Sequence, residues 1–507
     1  MPLLVEERAK SLDLRTRHRQ TVKAISVSFA IYTLIAIVCF WKIWSTHPTS
    51  VAQIGGDQFS TMWFLKWVPF AILHGHNPMF SNYANYPYGV NTLNNTGVPL
   101  LGVAAAPITW IFGPIASYSA LQTVALSLSA TSGFLFVRRW TVYRSAAFVG
   151  GLLYGFSPYE MAQSLGHLNL TFVVFPPLIL LGLHEIVVRQ NASARRWGIA
   201  LGLMLVGQFF ISSEVLVSTV VIGIVALAAA IIVGRRTVRA HLRHAAEGIA
   251  WSLGLVVVIL AYPVWFMLRG PQHIQGRIQL GPQAYRADLL GPLLPDQMMR
   301  LAPSFSTRLA DTFANSVAEN GSYLGVTLLV ALLITVIVYW RSSVVRVAAI
   351  TGIGAFILSL GGNLVIMHRP QGPIGLPLPE KIFTHLPLLN NTVPARYAVY
   401  VALMAALIFG ILIDQLILIF DSRSSGTRRS YRFIPAAVAV LALVPLIPSI
   451  PLSGIATVTT PRYFSSPAME RLGSNTVTIL VPYPSTPFPY AQVWQASSGM
   501  RFKMPGG

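Results

Sequence analysis

Acidic side chains are what this sequence has least of, 16 Asp and Glu in 507 residues against 36 Lys and Arg. Charged residues make up only 10% of the chain, where a soluble domain carries roughly 25%. That shortage excludes an ordinary water-soluble globule. The single cysteine, Cys39, lies inside an apolar run, which excludes an intrachain disulfide and a cysteine metal site. No phosphate-binding Walker loop, dinucleotide glycine pattern or HExxH motif occurs, so no common nucleotide- or zinc-dependent signature is present. Internal repeats of the transporter kind and low-complexity tracts are also missing. A cleavable signal is not expected: residues 1–23 are highly charged, and the apolar run behind them has spanning length without a small-residue cleavage pattern.

What is present is apolar. Hydrophobic residues make up 54% of the chain, in repeated runs of roughly 20 residues, long enough to cross the ~30 Å hydrocarbon core of a bilayer. The fold class expected is an all-α polytopic membrane protein of about 11 transmembrane helices, over 24–44, 115–137, 146–161, 170–188, 198–211, 215–233, 249–268, 323–340, 348–361, 397–420 and 433–450. The formal net charge of +20 does not call for a nucleic-acid partner, because the bases cluster in short loops between apolar runs. Arg138, Arg139 and Arg144, then Arg189, Arg195 and Arg196, then Arg235 to Arg243, Arg341 with Arg346, and Arg423 to Arg432 all fall on one side. By the positive-inside rule that side is cytoplasmic. The basic N-terminus, 1–23, lies with them and the C-terminus lies outside. Treating 98–112 as a full span would reverse Arg138 and Arg139, so this stretch, with Pro99 and Pro107, reads as an interfacial or re-entrant helix.

Three parts follow: the cytoplasmic end 1–23, a membrane domain 24–450, and an external segment 451–507. The first external loop, 46–114, holds Ile54-Gly55-Gly56-Asp57-Gln58 and then an aromatic helix lying in the interface, with Trp63, Phe64, Trp67 and Phe70 toward lipid headgroups. Gly55 and Gly56 allow the backbone to bend freely next to Asp57. In the last segment one strand-like run, 476–481, suggests the start of a small domain that continues beyond residue 507.

Few acids occupy the external rim, so each is a functional candidate. Asp57 is the first, with helix capping as the plain alternative. Glu160 and His167, seven residues apart, would share a helix face if the helix runs through Pro158. Glu214 follows Ser212-Ser213 at a turn, and Arg396, in Val393-Pro394-Ala395-Arg396-Tyr397, stands where a span begins. Arg396 either snorkels or binds a lipid phosphate, for which Lys66 is the weaker candidate. Asn94-Asn95-Thr96 and Asn390-Asn391-Thr392 match the glycosylation triplet, a pattern too common to use alone.

The order of parts resembles the GT-C superfamily of integral-membrane glycosyltransferases. A first span leads to an external Gly-Asp, an interfacial helix, a Tyr86-Pro87 turn and Phe112-Gly113-Pro114. A span ending in Arg138-Arg139 follows, then the polar turn Gly166-His167-Leu168-Asn169. Glu319-Asn320-Gly321-Ser322-Tyr323 and Pro394-Ala395-Arg396-Tyr397 are similar to poorly characterised bacterial members, including the YfhO-like group. The resemblance implies sugar transfer from a polyprenyl-phosphate donor to a glycan, lipid or protein acceptor at the outer face of a bacterial inner membrane. It implies Asp57 as catalytic base or metal ligand, Arg396 and Lys66 at the donor phosphate, and Gln58, Glu160, His167, Asn169, Glu214, Glu319 and Tyr323 around substrate or a divalent cation (Mg or Mn). Gln58 stands where many relatives carry a second acid, and His167-Leu168-Asn169 stands where some carry an acidic motif. Both departures argue against a tightly held metal. A flippase or transporter of lipid-linked sugars is the rival reading, and it predicts ionisable residues deeper in the spans. A non-catalytic protein of cell-envelope assembly is the third.

Overall fold

The apolar runs become helices in the computed structural model, which describes residues 14–53, 57–276, 284–367, 369–370, 375–386, 388–422, 433–450, 452, 454–473, 476–484 and 490–507. The helices used below are α1 (Leu14–Cys39), α2 (Gln58–Leu73), α3 (Ala106–Arg138), α4 (Arg144–Gly155), α5 (Pro158–Gln163), α6 (Leu168–Thr171), α7 (Phe175–His184), α8 (Ala194–Phe209), α9 (Ser213–Ala240), α10 (Leu242–Arg269), α11 (Val326–Val338), α12 (Ser343–Ser359), α13 (Ala398–Ser422), α14 (Ile434–Leu443) and α15 (Tyr490–Ser497). Six stretches are long and apolar enough to cross a bilayer: Gln20–Cys39, Ala106–Arg138, Leu168–Arg189, Ser213–Arg235, Leu242–Arg269 and Pro394–Asp421. Val326–Val338, Ser343–Ser359 and Ile434–Leu446 are shorter apolar helices. The remaining two expected spans, 146–161 and 198–211, correspond to α4, of 12 residues, and α8, of 16. The chain therefore has the helices of a multi-pass membrane protein, without establishing eleven crossings.

Small residues let the central helices approach closely. A Cβ on Gly155 of α4 would lie 2.3 Å from the backbone nitrogen of Ala130 on α3, and one on Gly151 would lie 2.5 Å from the Tyr32 hydroxyl of α1. Van der Waals packing of this kind associates helices in lipid, where no hydrophobic drive exists. Tyr32 uses the gap to donate to the Phe148 carbonyl at 2.7 Å. α13 runs through the middle of the bundle, with Tyr400, Leu403, Ala406 and Phe409 fully buried.

A second core, distinct from the bundle core, brings the first loop and the last segment together against α3. Phe59, Met62, Trp63, Leu65 and Val68 of α2 pack with Val493, Met500, Phe502 and Met504. A two-stranded antiparallel sheet, β1 (Val51–Gln53) with β2 (Ile455–Thr457), joins the same two regions, with Val51 opposite Thr457. Eleven of the 16 residues of α2 are buried, and Trp63 and Trp67 stack at 5.6 Å. This corrects the interfacial reading of α2: its aromatic face packs under residues 490–507 instead of meeting headgroups. The strand-like run 476–481 is corrected too; it contributes one isolated bridge, Val477 to Lys503.

The stretch 98–112 forms the short helix Pro99–Ala104 and the first turns of α3, ended by a break at Gly113 with φ 86° and ψ 170° before Pro114. Val103, Trp110, Ile111 and Phe112 are exposed there. The apolar edge of this stretch is therefore open to its surroundings. Gly55 and Gly56 lie outside the described residues.

Candidate functional site

Asp57 stands at the N-cap position of α2, one residue before Gln58. Its backbone carbonyl accepts from the Thr61 amide at 2.9 Å and the Thr61 hydroxyl at 3.0 Å. Its carboxylate makes no capping bond, so the capping alternative does not use up the side chain. Asp57 is exposed, while Gln58 behind it is buried. The carboxylate opens onto a cavity of about 440 Å³ whose wall includes Trp63, Asn85, Asn94, Asn95 and Gln492. Gln492 arrives from α15 and accepts from Ser60, on the same helix as Trp63, at 2.8 Å. Trp63 in turn donates to Gln495 at 2.5 Å.

A second polar group gathers around Arg396, just before α13. Its Nε donates to both carboxylate oxygens of Glu319, at 3.1 and 3.2 Å, and its Nη2 to Glu319 Oε1 at 2.5 Å. Its Nη1 is paired with Glu214, whose other oxygen accepts from the Val393 amide at 2.9 Å. Gln163 of α5 donates to Glu319 at 3.0 Å. Burial alone would raise the Glu319 pKa; the Arg396 charge and these donors outweigh it and hold the carboxyl below its ordinary range. The guanidinium that the phosphate-binding expectation calls on is paired with two carboxylates. One cation between two anions leaves the group short of positive charge.

His167 sits between the two regions electrostatically. Burial lowers its pKa; the charges of Glu319, Asp57 and Glu214 oppose that shift, and Arg396 adds to it. Its Nδ1 is buried with no partner. Glu160 is not brought to the same place by a common helix, because α4 ends at Gly155 and α5 at Gln163, and His167 caps α6. Glu160 is fully buried and neither of its oxygens has a partner. Tyr323 belongs to the bundle core, and Asn169 is buried on α6. Lys66 lies half-buried on α2. Gln163, Tyr159 and the amides of residues 85–95 were missed from sequence. Four asparagines between 85 and 95 were a visible signal, of which only Asn94 and Asn95 drew notice, as part of a glycosylation triplet.

Among the described residues no group of three or more His, Cys, Asp and Glu could hold a metal ion. With Gln58 turned inward and Asp57 as the one carboxylate side chain on the cavity wall, the residues present do not fit a divalent ion.

A family model described as a domain of unknown function, DUF6311, matches residues 28–369. The chain belongs to the DUF6311 family. That match does not establish the YfhO-like grouping. No curated protein matches. Among solved structures the chain is similar to the oligosaccharyltransferase AglB of Archaeoglobus fulgidus in complex with an inhibitory peptide and a dolichol-phosphate, with TM-score 0.48 and 13% identity. That alignment covers 95% of this chain and 64% of AglB, so the chain spans less than two thirds of its length. It is also similar to ArnT of Cupriavidus metallidurans bound to undecaprenyl phosphate, with TM-score 0.45 and 12% identity, over 94% of this chain and 85% of that one.

Proposed function

We propose that this DUF6311 chain is a glycosyltransferase that moves a sugar from a polyprenyl-phosphate donor to a cell-envelope acceptor at the outer face of the membrane, with Asp57 as general base. The observation that carries this reading is the exposed Asp57 carboxylate, spared from capping and opening onto a ligand-sized cavity. An acceptor hydroxyl gives its proton to Asp57 as its oxygen bonds to the anomeric carbon, and the bond from that carbon to the phosphate oxygen breaks. The electron pair leaves with polyprenyl phosphate. A leaving phosphate is stabilised by nearby positive charge, and Lys66 is the candidate for that role, since Arg396 is engaged. No step is routed through a metal. The setting proposed is the bacterial inner membrane, with the N-terminus cytoplasmic.

A sugar-transfer assay in membranes, supplied with a panel of polyprenyl-phosphate sugars, tests the reading. Transfer by the wild type that collapses in Asp57→Asn supports it; equal transfer by both removes Asp57 as base. One observation favours the transporter instead, namely Glu160, fully buried and without a partner. Transport of a lipid-linked sugar that is lost in Glu160→Gln and kept in Asp57→Asn would select that reading.

A further inference from the structure

The base assignment leaves the chemistry of the rest of the cavity wall unexplained. Among the described residues no Lys, Arg or His side chain lines it, and Asp57 is its one carboxylate side chain. Three of the asparagines on the wall each use one of their two amide N–H groups on the protein. Asn94 donates to the Met267 carbonyl in the last turn of α10 at 3.0 Å, Asn95 to Asn91 at 2.9 Å, and Asn85 to Gly89 at 3.0 Å. The first of these satisfies a carbonyl that a helix end leaves open, which accounts for the amide nitrogen. The amide oxygens of all three accept no hydrogen bond among the described residues. Gln492 is turned the other way, with its oxygen on Ser60 and its nitrogen free of that bond.

We infer that this cavity binds an uncharged, hydroxyl-rich acceptor, a neutral saccharide, and not the phosphate of the donor. The Asn85, Asn94 and Asn95 amide oxygens accept from hydroxyl groups, the Gln272 and Gln492 amides and the Thr96 hydroxyl can donate, and the Trp63 ring supplies an apolar wall. An anion would meet the Asp57 carboxylate with no cationic side chain among the described residues to offset it. The volume of about 440 Å³ lies in the ~300–1,000 Å³ range of small-ligand sites and is far larger than an ion cage. The ligand's part as acceptor rests on the proposed function; its binding rests on the cavity alone.

The test uses the full chain in nanodiscs, in chelator-containing buffer. Neutral hexose and N-acetylhexosamine trisaccharides, with and without a phosphate monoester, are compared by saturation-transfer NMR. A diazirine-bearing neutral trisaccharide then maps the site by crosslinking to wild type. The inference predicts binding of a neutral trisaccharide, binding weakened about tenfold or more by the phosphate, and crosslinks within residues 84–96 or 490–497. Gln492→Leu should weaken binding several-fold. Preference for the phosphorylated form, crosslinks confined elsewhere, retention only with added Ca²⁺, or no retained neutral saccharide would each overturn it. Saccharide binding without transfer would sink the enzyme reading and leave this one standing. Transfer without binding here would do the reverse.

Discussion

Two polar regions, built from comparable residues, treat charge in opposite ways. Around Arg396 every charged side chain has a partner: the guanidinium side chain is 19% exposed, Glu319 is 4% exposed, and all three guanidinium nitrogens are bonded. At Asp57 the carboxylate is exposed and makes no capping bond. A buried ion pair is expensive to form and expensive to break, so it holds segments in place and leaves no group free to react. An exposed acid over a cavity costs little to keep and can take a proton. The first region is scaffold, tying α5, α9, the loop before α11 and the start of α13 together. The second is where chemistry is expected.

The largest effect that would break this contrast is on activity. Asp57→Asn should lower transfer by at least about 100-fold, in the range of lost general-base catalysis, while thermal unfolding in detergent stays at the wild-type temperature. A large loss of stability would make Asp57 structural after all. Arg396→Met should act the other way, leaving Glu319 and Glu214 buried without their cation. A destabilisation on the order of 3 kcal/mol is expected, read as reduced yield of folded protein and a lower unfolding temperature. A stable, folded Arg396→Met that has lost only donor binding would restore the phosphate role to Arg396.

A smaller effect sharpens the link between the first loop and the last segment. Trp63→Phe removes the donor to buried Gln495, which also donates to the carbonyls of Tyr83 at 2.9 Å and Phe502 at 2.6 Å. The expected cost is about 1–3 kcal/mol, and thermal unfolding reads it. An unchanged midpoint would mean that α2 and α15 are held by apolar contacts alone.

The pH dependence of the scaffold gives the smallest effect. Burial raises the pKa of Asp296 to about 7, partly offset by donors from Met298 and Asn320. Its folded value lies above its unfolded one, so its contribution to stability is full in acid and falls as pH rises toward about 7. Asp296→Asn should flatten the thermal stability of the chain between about pH 4 and about pH 7. A slope unchanged by the substitution would assign it to other groups.

Much of the membrane architecture was legible because the helix signal is a length of apolar residues, which sequence displays directly. The break at Gly113-Pro114 was legible for the same reason, from the residues that make it. Burial of α2 was not, because an aromatic run reads identically whether it meets headgroups or a covering segment more than 400 residues later in the chain. The site was legible only in part. Asp57 could be singled out because acids are rare, but pairing is a property of three dimensions. Arg396 looked free for phosphate until Glu214 and Glu319, 182 and 77 residues away, were placed against it. His167 and Glu160 looked like one helical face because the end of α5 at Gln163, between them, has only Gly166 to announce it.

In the proposed reaction the exposed acid, and not the paired arginine, carries the chemistry. Single-turnover sugar transfer by purified wild type, Asp57→Asn and Arg396→Lys, each normalised to folded protein, measures this most directly. The account predicts that folded Arg396→Lys, which keeps a cation between the two carboxylates, transfers at a rate near wild type and that folded Asp57→Asn does not transfer. Near-normal turnover by Asp57→Asn, with turnover abolished in a stably folded Arg396→Lys, would contradict it.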